Sequence, residues 1–214
     1  MPRNVAKATI TVLAGTNGAG KSSIAGEYLR QNGAPHFDPD AVAREVLGKN
    51  PGLSASEANG LAWQEGMRQL KEAIRLRKDF IFETTLGGNT VTATLEEALD
   101  AGLEVRIWYV GLMSPELHIA RVQARVAKGG HAIPPGTIRQ RFNDSRLNLI
   151  RLMGRLAELK VFDNSAEADP HQGQAPNPLL LLHLRKGRVI GPNRTALAQT
   201  PDWAKPIIEA ALSL

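Results

Sequence analysis

The residues best suited to chemistry lie in one short segment near the start of the chain, Gly15-Thr16-Asn17-Gly18-Ala19-Gly20-Lys21-Ser22. This segment fits the pattern G-x-x-x-x-G-K-[ST] at every fixed position. Glycines let the backbone fold around an anion, the lysine reaches the β- and γ-phosphates, and the hydroxyl binds Mg²⁺. We therefore predict that ATP is bound by a loop formed of Gly15, Thr16, Asn17, Gly18, Ala19, Gly20, Lys21, Ser22 and Ser23.

The segments on either side of this loop fit a strand before it and a helix after it. Residues 8–14 are apolar and β-branched, which is typical of a buried parallel strand. Residues 23–30 place Ile24, Tyr28 and Leu29 along one helical face. A helix beginning at the loop adds unpaired N–H groups and the positive end of its dipole at the phosphates.

Further along the chain, strands alternate with helices. We predict strands at 34–37, 79–85, 104–111 and 161–165, and a hairpin in which 179–184 pairs with 188–190. We predict helices at 41–47, 90–101 and 137–159, a helix that runs from the Ser54-to-Glu57 capping box to about residue 77, and helices that begin at Ser114 and at Pro201. In the helix that follows Ser54, the apolar stripe is Leu61, Met67, Leu70, Ile74 and Leu76. This order predicts an α/β fold, the three-layer αβα P-loop NTPase type with a mostly parallel sheet. We expect a single domain over 1–214, with an arginine-bearing helical lid at roughly 114–160 and an added hairpin and helix at 178–214.

Composition narrows the function classes. The 214 residues are 43% hydrophobic and 22% charged, and they include no cysteine, which excludes disulfides and thiolate metal sites. No apolar run is long enough to cross a bilayer, and the first residues lack the apolar stretch of a signal peptide. We therefore expect a cytoplasmic protein with no membrane partner.

Positive charge is concentrated in residues 121–160, which hold nine Lys or Arg residues and two acidic residues, whereas the whole chain carries +5. Such a segment fits a lid that clamps phosphates or a surface for nucleic acid. The low aromatic content of 5% argues against a platform on which single-stranded bases stack. A nucleic-acid partner is thus the less favoured interpretation.

Acidic residues follow the predicted strands, at the sheet edge where α/β proteins bind ligands. Asp38 and Asp40 follow the second strand, Glu83 closes the third, and Asp163 lies near the fifth. Asp40 is the candidate base for an acceptor hydroxyl, and Glu83 is the candidate for organising a metal or water. Asp38, Thr84 and Thr85 are candidate acceptor-binding residues. The alternatives are helix capping for the two aspartates, and β-propensity with a turn start for residues 83–85.

The candidate lid residues are Arg121 and Arg125, one helical turn apart, and His131, Arg139 and Arg141 beyond the flexible glycines. Guanidinium groups bind phosphate oxygens bidentately, and a lid delivers them when substrate is present. The alternatives are a solvated helix face for each arginine and a loop histidine without a ligand. The five histidines show no metal-ligand spacing, so we expect no zinc site.

Over roughly residues 8–165 the sequence resembles the zeta toxin family of P-loop kinases. The resemblance lies in the phosphate-binding loop, His36-Phe37-Asp38-Pro39-Asp40, Phe82-Glu83-Thr84-Thr85, residues 121–126, Gly129-Gly130-His131 and Phe162-Asp163-Asn164-Ser165. Members of this family phosphorylate the 3′-hydroxyl of the amino sugar in UDP-N-acetylglucosamine, with ATP and Mg²⁺.

The resemblance implies a role for each matching residue. Asp40 would be the base, Lys21 and Ser22 the phosphate and metal groups, and Glu83 with Thr85 would contact the acceptor or metal. Arg121 or Arg125 would stabilise the transferring phosphoryl group. The toxins proper carry a second lid arginine where this chain reads Gly-Gly-His, so Arg139 or Arg141 is the candidate substitute.

Together these features predict a kinase that phosphorylates a hydroxyl of a sugar nucleotide or related metabolite. An antitoxin protein is a further candidate partner. The alternative functions are a polynucleotide kinase, an ATP-gated nucleic-acid-binding protein, and a regulator that binds ATP without turnover.

Overall fold

A computed structural model describes residues 7–21, 36–166 and 177–214. The strands are β1 Thr9–Ala14, β2 His36–Phe37, β3 Phe80–Thr84, β4 Glu104–Gly111, β5 Glu158–Asp163, β6 Leu179–Arg185 and β7 Arg188–Gly191. The helices are α1 Pro39–Lys49, α2 Ala55–Leu76, α3 Asn89–Asp100, α4 Pro115–Val126, α5 Pro135–Met153, α6 Arg194–Ala198 and α7 Lys205–Leu212. Ser22, Ser23 and the helix predicted for 23–30 lie outside the described residues, as does most of the loop predicted for 166–178.

The strands form one sheet in the order β2-β3-β1-β4-β5-β6-β7. The first five are parallel, and the β6–β7 hairpin adds antiparallel to β5 at the edge. The central strand β1 is buried from Ile10 to Ala14, so both faces of the sheet are covered there. The predicted α/β fold with a mostly parallel sheet is confirmed.

Three helices begin at the capping residues that the sequence predicts. Asp38 caps α1, Ser54 caps α2 in a reciprocal capping box with Glu57, and Ser114 caps α4. Proline occupies the first turn of both α1 and α4, where a missing N–H costs no helical hydrogen bond. These caps fix where α1 and α4 start relative to the strand ends that precede them.

The buried face of α2 differs from the predicted stripe. Leu61 and Leu76 are 45% and 39% exposed, and the helix buries mainly small residues instead. The buried positions are Ala58, Ala62, Gly66, Met67, Leu70 and Ala73. A Cβ atom on Gly66 would lie 2.6 Å from the Phe37 ring, so close packing against β2 selects small residues and overrides the stripe of large ones.

The end of α5 was also predicted wrongly. The helix stops at Met153 rather than near 159, and β5 begins at Glu158 rather than Val161. Leu159 and Val161 are buried in β5, where they pair with Ile107 and Tyr109 of β4. Strand pairing thus overrides the helical pattern, and the segment expected to form the lid runs into the sheet.

The C-terminal segment differs in two details. Residues 194–198 form the short helix α6, which the sequence did not predict, and the last helix begins at Lys205 rather than at Pro201. Trp203 lies in the turn before it and is buried against Tyr109 and Gly111. The hairpin and α7 are thereby joined to the core of the sheet.

Candidate nucleotide-binding and phosphotransfer site

The glycine-rich loop leaves the end of β1 with backbone angles that favour glycine. Gly15, Gly18 and Gly20 have φ of 140°, 81° and 85°. A Cβ atom on Gly15 would lie 2.1 Å from the carbonyl oxygen of Val110 on β4. A side chain at position 15 is therefore excluded both by the backbone conformation and by the neighbouring strand.

Lys21 closes the loop on itself. Its ammonium donates a hydrogen bond to the carbonyl of Gly15 at 2.8 Å. Desolvation lowers the pKa of Lys21, while the negative charges of Glu83 and Asp40 oppose this shift. The predicted phosphate-binding lysine thus lies in the field of the two carboxylates that were predicted to act with it.

Asp40 and Arg125 contact each other across the site. The guanidinium Nη1 of Arg125 lies 3.3 Å from Oδ2 of Asp40, and its Nη2 donates to the carbonyl of His131 at 3.1 Å. The Nε of Arg125 is buried and has no hydrogen-bond partner among the described residues. The arginine therefore joins α1, α4 and the segment between α4 and α5, and its Nε is a donor left over for a ligand.

Asp38 does not extend freely into the site. Its Oδ1 accepts hydrogen bonds from the backbone N–H groups of Asp40 and Ala41 at 2.9 and 3.2 Å. The capping interpretation of Asp38 is confirmed, and the cap sets the position of Asp40 in the first turn. Asp163 is similarly engaged, since it accepts from the backbone N–H of Ser165 at 3.0 Å.

Glu83 is a carboxylate in an almost fully enclosed place. It is 7% exposed at the end of β3, and its Oε1 lies 3.5 Å from Nε2 of His36 on the neighbouring strand. Sequence reasoning missed His36 as a partner of Glu83, although its place two residues before Asp38 in a predicted strand was a usable signal.

Thr84 and Thr85 form the turn after β3. Their hydroxyl oxygens accept from the backbone N–H groups of Leu86 at 3.1 Å and Gly87 at 3.4 Å. Leu86 is buried in the left-handed region with φ of 55°, and its carbonyl accepts from Asn148 of α5 at 2.9 Å. The turn is held on both sides, and each hydroxyl group also carries a proton that it can donate.

Two residues from the predicted lid segment converge on Asn17 in the loop. Arg141 of α5 donates to its Oδ1 at 2.8 Å, and Nδ1 of His118 of α4 lies 2.8 Å from its carbonyl oxygen. Partial burial lowers the pKa of the Arg141 guanidinium. Sequence reasoning placed Arg141 at the site but missed His118, which lies in the same helix as Arg121 and Arg125.

The remaining lid candidates separate from one another. Arg121 donates to the backbone carbonyl of Ala166 at 3.2 Å, in the segment that follows β5. Arg139 lies on the surface beside Glu116, with 3.4 Å between Nε and Oε1. The ring of His131 contacts Asn59 of α2 at 3.2 Å. Within the described residues, Arg125 and Arg141 are thus the lid arginines that contact the predicted base and the loop.

Residues 1–174 match the family model "Zeta toxin". The chain belongs to the zeta toxin family of P-loop kinases. It is 30% identical over 129 residues to an uncharacterized protein of Haemophilus influenzae, an alignment that covers 60% of this chain and 88% of that protein.

Solved structures show the same fold. The AvrRxo1-ORF1:-ORF2 complex with ATP matches 97% of this chain and 64% of its own chain, with a TM-score of 0.62 and 15% identity. The PezAT chromosomal toxin-antitoxin system of Streptococcus pneumoniae matches 75% of this chain and 68% of its own, with a TM-score of 0.54 and 16% identity. This zeta toxin family member spans just under two thirds of the AvrRxo1 chain, and at these identities the likeness shows the fold.

The donors at the site suit Mg²⁺ held together with phosphates. Among the described residues, no group of three or more His, Asp or Glu side chains is placed to hold a metal. Magnesium is commonly bound by one or two carboxylates together with substrate phosphates, and the buried Glu83 supplies one carboxylate near Lys21. Ser22, the other predicted ligand, lies outside the described residues.

The basic segment 121–160 does not form one continuous cationic face. Arg151 pairs with Glu96 and Arg155 with Asp100, both at 2.6 Å. Lys160 lies over the Trp108 ring at 4.7 Å, and Arg146 lies over the Phe142 ring at 4.2 Å.

None of the helices in the described ranges is long and apolar enough to cross a membrane.

Proposed function

We propose that this protein is an ATP-dependent kinase that transfers the γ-phosphate to a hydroxyl of a sugar nucleotide or a related metabolite. The observation that carries the proposal is the Asp40–Arg125 contact of 3.3 Å, placed so that both charges act on Lys21. A base for the acceptor, a cation for the phosphoryl group and a cation for the bound phosphates are thus together at one sheet edge.

Each charged group has one role in the proposed reaction. Lys21 holds the β- and γ-phosphates. Asp40 accepts the proton of the acceptor hydroxyl. The oxygen of that hydroxyl forms a bond to the γ-phosphorus, and the bond from the γ-phosphorus to the leaving oxygen of ADP breaks. Arg125 uses its Nη groups, and its Nε, which has no partner among the described residues, to stabilise the charge on the transferring phosphoryl group.

Magnesium would be held by Glu83 and Ser22 together with phosphate oxygens, and it would neutralise charge between the β- and γ-phosphates. The acceptor would lie against the turn of Thr84 and Thr85, whose hydroxyl groups can still donate. Between the two arginines that the sequence left as alternatives, Arg125 is the phosphoryl-stabilising residue, because Arg121 donates to the segment after β5 instead.

The test is a transfer assay with labelled ATP and a panel of nucleotide sugars, simple sugars and short oligonucleotides. We expect a phosphorylated product from a sugar nucleotide. Asp40→Asn should bind ATP normally and lose about 10²- to 10⁴-fold in transfer rate, since it lacks the base. Lys21→Ala should lose both binding and transfer.

Asp100→Asn is the matched control, because Asp100 also pairs with a helical arginine, Arg155, on the surface. It should transfer phosphate at the normal rate. Full activity of Asp40→Asn on the acceptor identified in the panel would show that the assigned base is wrong. Phosphorylation of the oligonucleotides alone would favour a polynucleotide kinase instead.

An antitoxin protein is the proposed macromolecular partner, by analogy with the toxin-antitoxin system to which the PezAT structure belongs. A nucleic-acid partner is less favoured, because arginines 139, 151 and 155 are paired with carboxylates. A steep salt dependence of oligonucleotide binding would contradict this ranking.

A further inference from the structure

Side chains from two distant parts of the chain hold carbonyl groups of the glycine-rich loop. His118 of α4 bonds the carbonyl of Asn17 at 2.8 Å through Nδ1. The amide nitrogen of Asn164, directly after β5, donates to the carbonyl of Ala19 at 2.9 Å. The loop is thus held at two alternate peptide groups by residues outside it.

In a trans peptide the C=O and N–H groups point in opposite directions. The bond from His118 fixes the carbonyl of Asn17, so the N–H of Gly18 points away from His118. The bond from Asn164 fixes the carbonyl of Ala19, so the N–H of Gly20 points away from Asn164. Loop N–H groups turned to one side form a concave anion site, whereas the intervening N–H of Ala19 donates to the carbonyl of Thr16 at 3.1 Å.

Close packing supports the same arrangement. A Cβ atom on Gly18 would lie 2.8 Å from the carbonyl oxygen of His118, and one on Gly20 would lie 2.5 Å from Nδ2 of Asn164. The two residues therefore contact the loop directly, and rotation of either peptide group would break a hydrogen bond, part-buried at Asn17 and buried at Ala19.

We propose that His118 and Asn164 are positioning residues for phosphate binding, each holding one loop carbonyl so that the N–H groups of Gly18 and Gly20 face the phosphates. This inference rests on the proposed binding of ATP and deepens it. It assigns the orientation of the loop to side chains that neither touch the phosphates nor belong to the motif.

The chemistry of His118 suits a fixed donor. A carbonyl oxygen only accepts, so the imidazole proton must lie on Nδ1. The ring is 1% exposed and packs edge-on against Phe142 with 5.7 Å between ring centroids. Burial, with the charges of Lys21 and Arg121 adding to it, lowers the pKa of His118 to about 4, so the ring is neutral at pH 7.

Asn164 is fixed just as firmly. It is 6% exposed, and its backbone N–H donates to the carbonyl of Gly111 at 3.0 Å. The side chain is thereby held between the ends of β4 and β5, and its amide reaches the loop from the sheet itself.

The decisive experiment compares two substitutions at position 118. In His118→Asn the amide nitrogen can take the place of Nδ1 but leaves unfilled volume, whereas His118→Leu fills the volume but has no donor. We expect His118→Leu to raise the Kd for ATP by about tenfold, and His118→Asn by less than about threefold. We also expect His118→Asn to have the lower melting temperature of the two.

A second comparison uses two buried asparagines that each donate to a backbone carbonyl at 2.9 Å. Asn164→Leu removes the bond to the loop, and Asn148→Leu removes the bond to Leu86. Only Asn164→Leu should weaken binding of ATP, and it should weaken binding of inorganic tripolyphosphate by a similar factor. Both variants should be destabilised, as judged by thermal unfolding.

The outcomes separate the two proposals. If the unchanged protein does not bind ATP, both the proposed function and this inference are wrong. If the unchanged protein binds ATP but the affinities of the variants follow their stabilities, the inference alone is overturned. That outcome would be a weaker affinity for ATP in His118→Asn than in His118→Leu, or an equal loss of affinity in Asn148→Leu and Asn164→Leu.

Discussion

The burial of His118 makes the stability of this protein depend on pH. The ordinary pKa of 6.5 applies to the unfolded chain, whereas burial lowers the pKa to about 4 in the folded protein. Between these values the unfolded state binds a proton that the folded state does not, so stability falls as the pH falls from about 6.5 to about 4. The two pKa values give a loss of about 2 kcal/mol between pH 7.5 and pH 5.

The assay is urea-induced unfolding of the unchanged protein and His118→Leu at several pH values from 8.5 to 5. All other ionisable groups are the same in the two proteins, so the difference between the two unfolding free energies isolates His118. That difference should be constant from pH 8.5 to 7.5, where the unfolded histidine is also neutral. It should then shift by about 2 kcal/mol in favour of His118→Leu by pH 5.

A difference that stays constant to within about 0.5 kcal/mol over the whole range would refute the reasoning. It would mean that His118 is hydrated or paired in the folded protein at acidic pH, so that burial does not lower its pKa.

Two further substitutions test the backbone around the site. Gly15→Ala should abolish measurable ATP binding in a nucleotide titration, because a Cβ atom would lie 2.1 Å from the carbonyl oxygen of Val110. In Gly60→Ala of α2 the new Cβ atom meets no atom within 4 Å, so this change should raise the free energy of unfolding by about 0.5–1 kcal/mol. Ser54→Ala removes the capping box of α2 and should lower the urea-unfolding free energy by about 1 kcal/mol while leaving the Kd for ATP unchanged; a large loss of ATP affinity would contradict the local role of this cap.

Much of the fold could be predicted because its signals are local. The capping residues Asp38, Ser54 and Ser114 each act on a backbone N–H within three positions, and each begins the helix that the sequence predicted. The errors occurred where a distant partner decides the local structure. Leu159 continues a helical apolar pattern, but pairing with Ile107 places it in β5.

The candidate site shows the same division. Lys21 belongs to a motif with fixed spacing, Asp40 follows a strand and Glu83 lies near the end of one, so each has a recognisable place in the sequence. His118 and Asn164 bond to loop residues that lie 101 and 145 positions away. A buried histidine inside an amphipathic helix carries no local sign that its partner is a loop carbonyl in another part of the chain.

The concentration of positive charge in residues 121–160 predicted two different functions equally well, a phosphate lid and a nucleic-acid surface. Net charge cannot separate them, because it does not say which acidic residue each arginine faces. The structure shows that Arg151 and Arg155 face carboxylates of α3, far along the chain, which neutralises part of the excess. Arg125 and Arg141 instead contact Asp40 and Asn17 beside the loop. These two arginines lie beside the loop, whereas Arg151 and Arg155 are paired elsewhere, and this distribution favours the proposed kinase over a nucleic-acid surface.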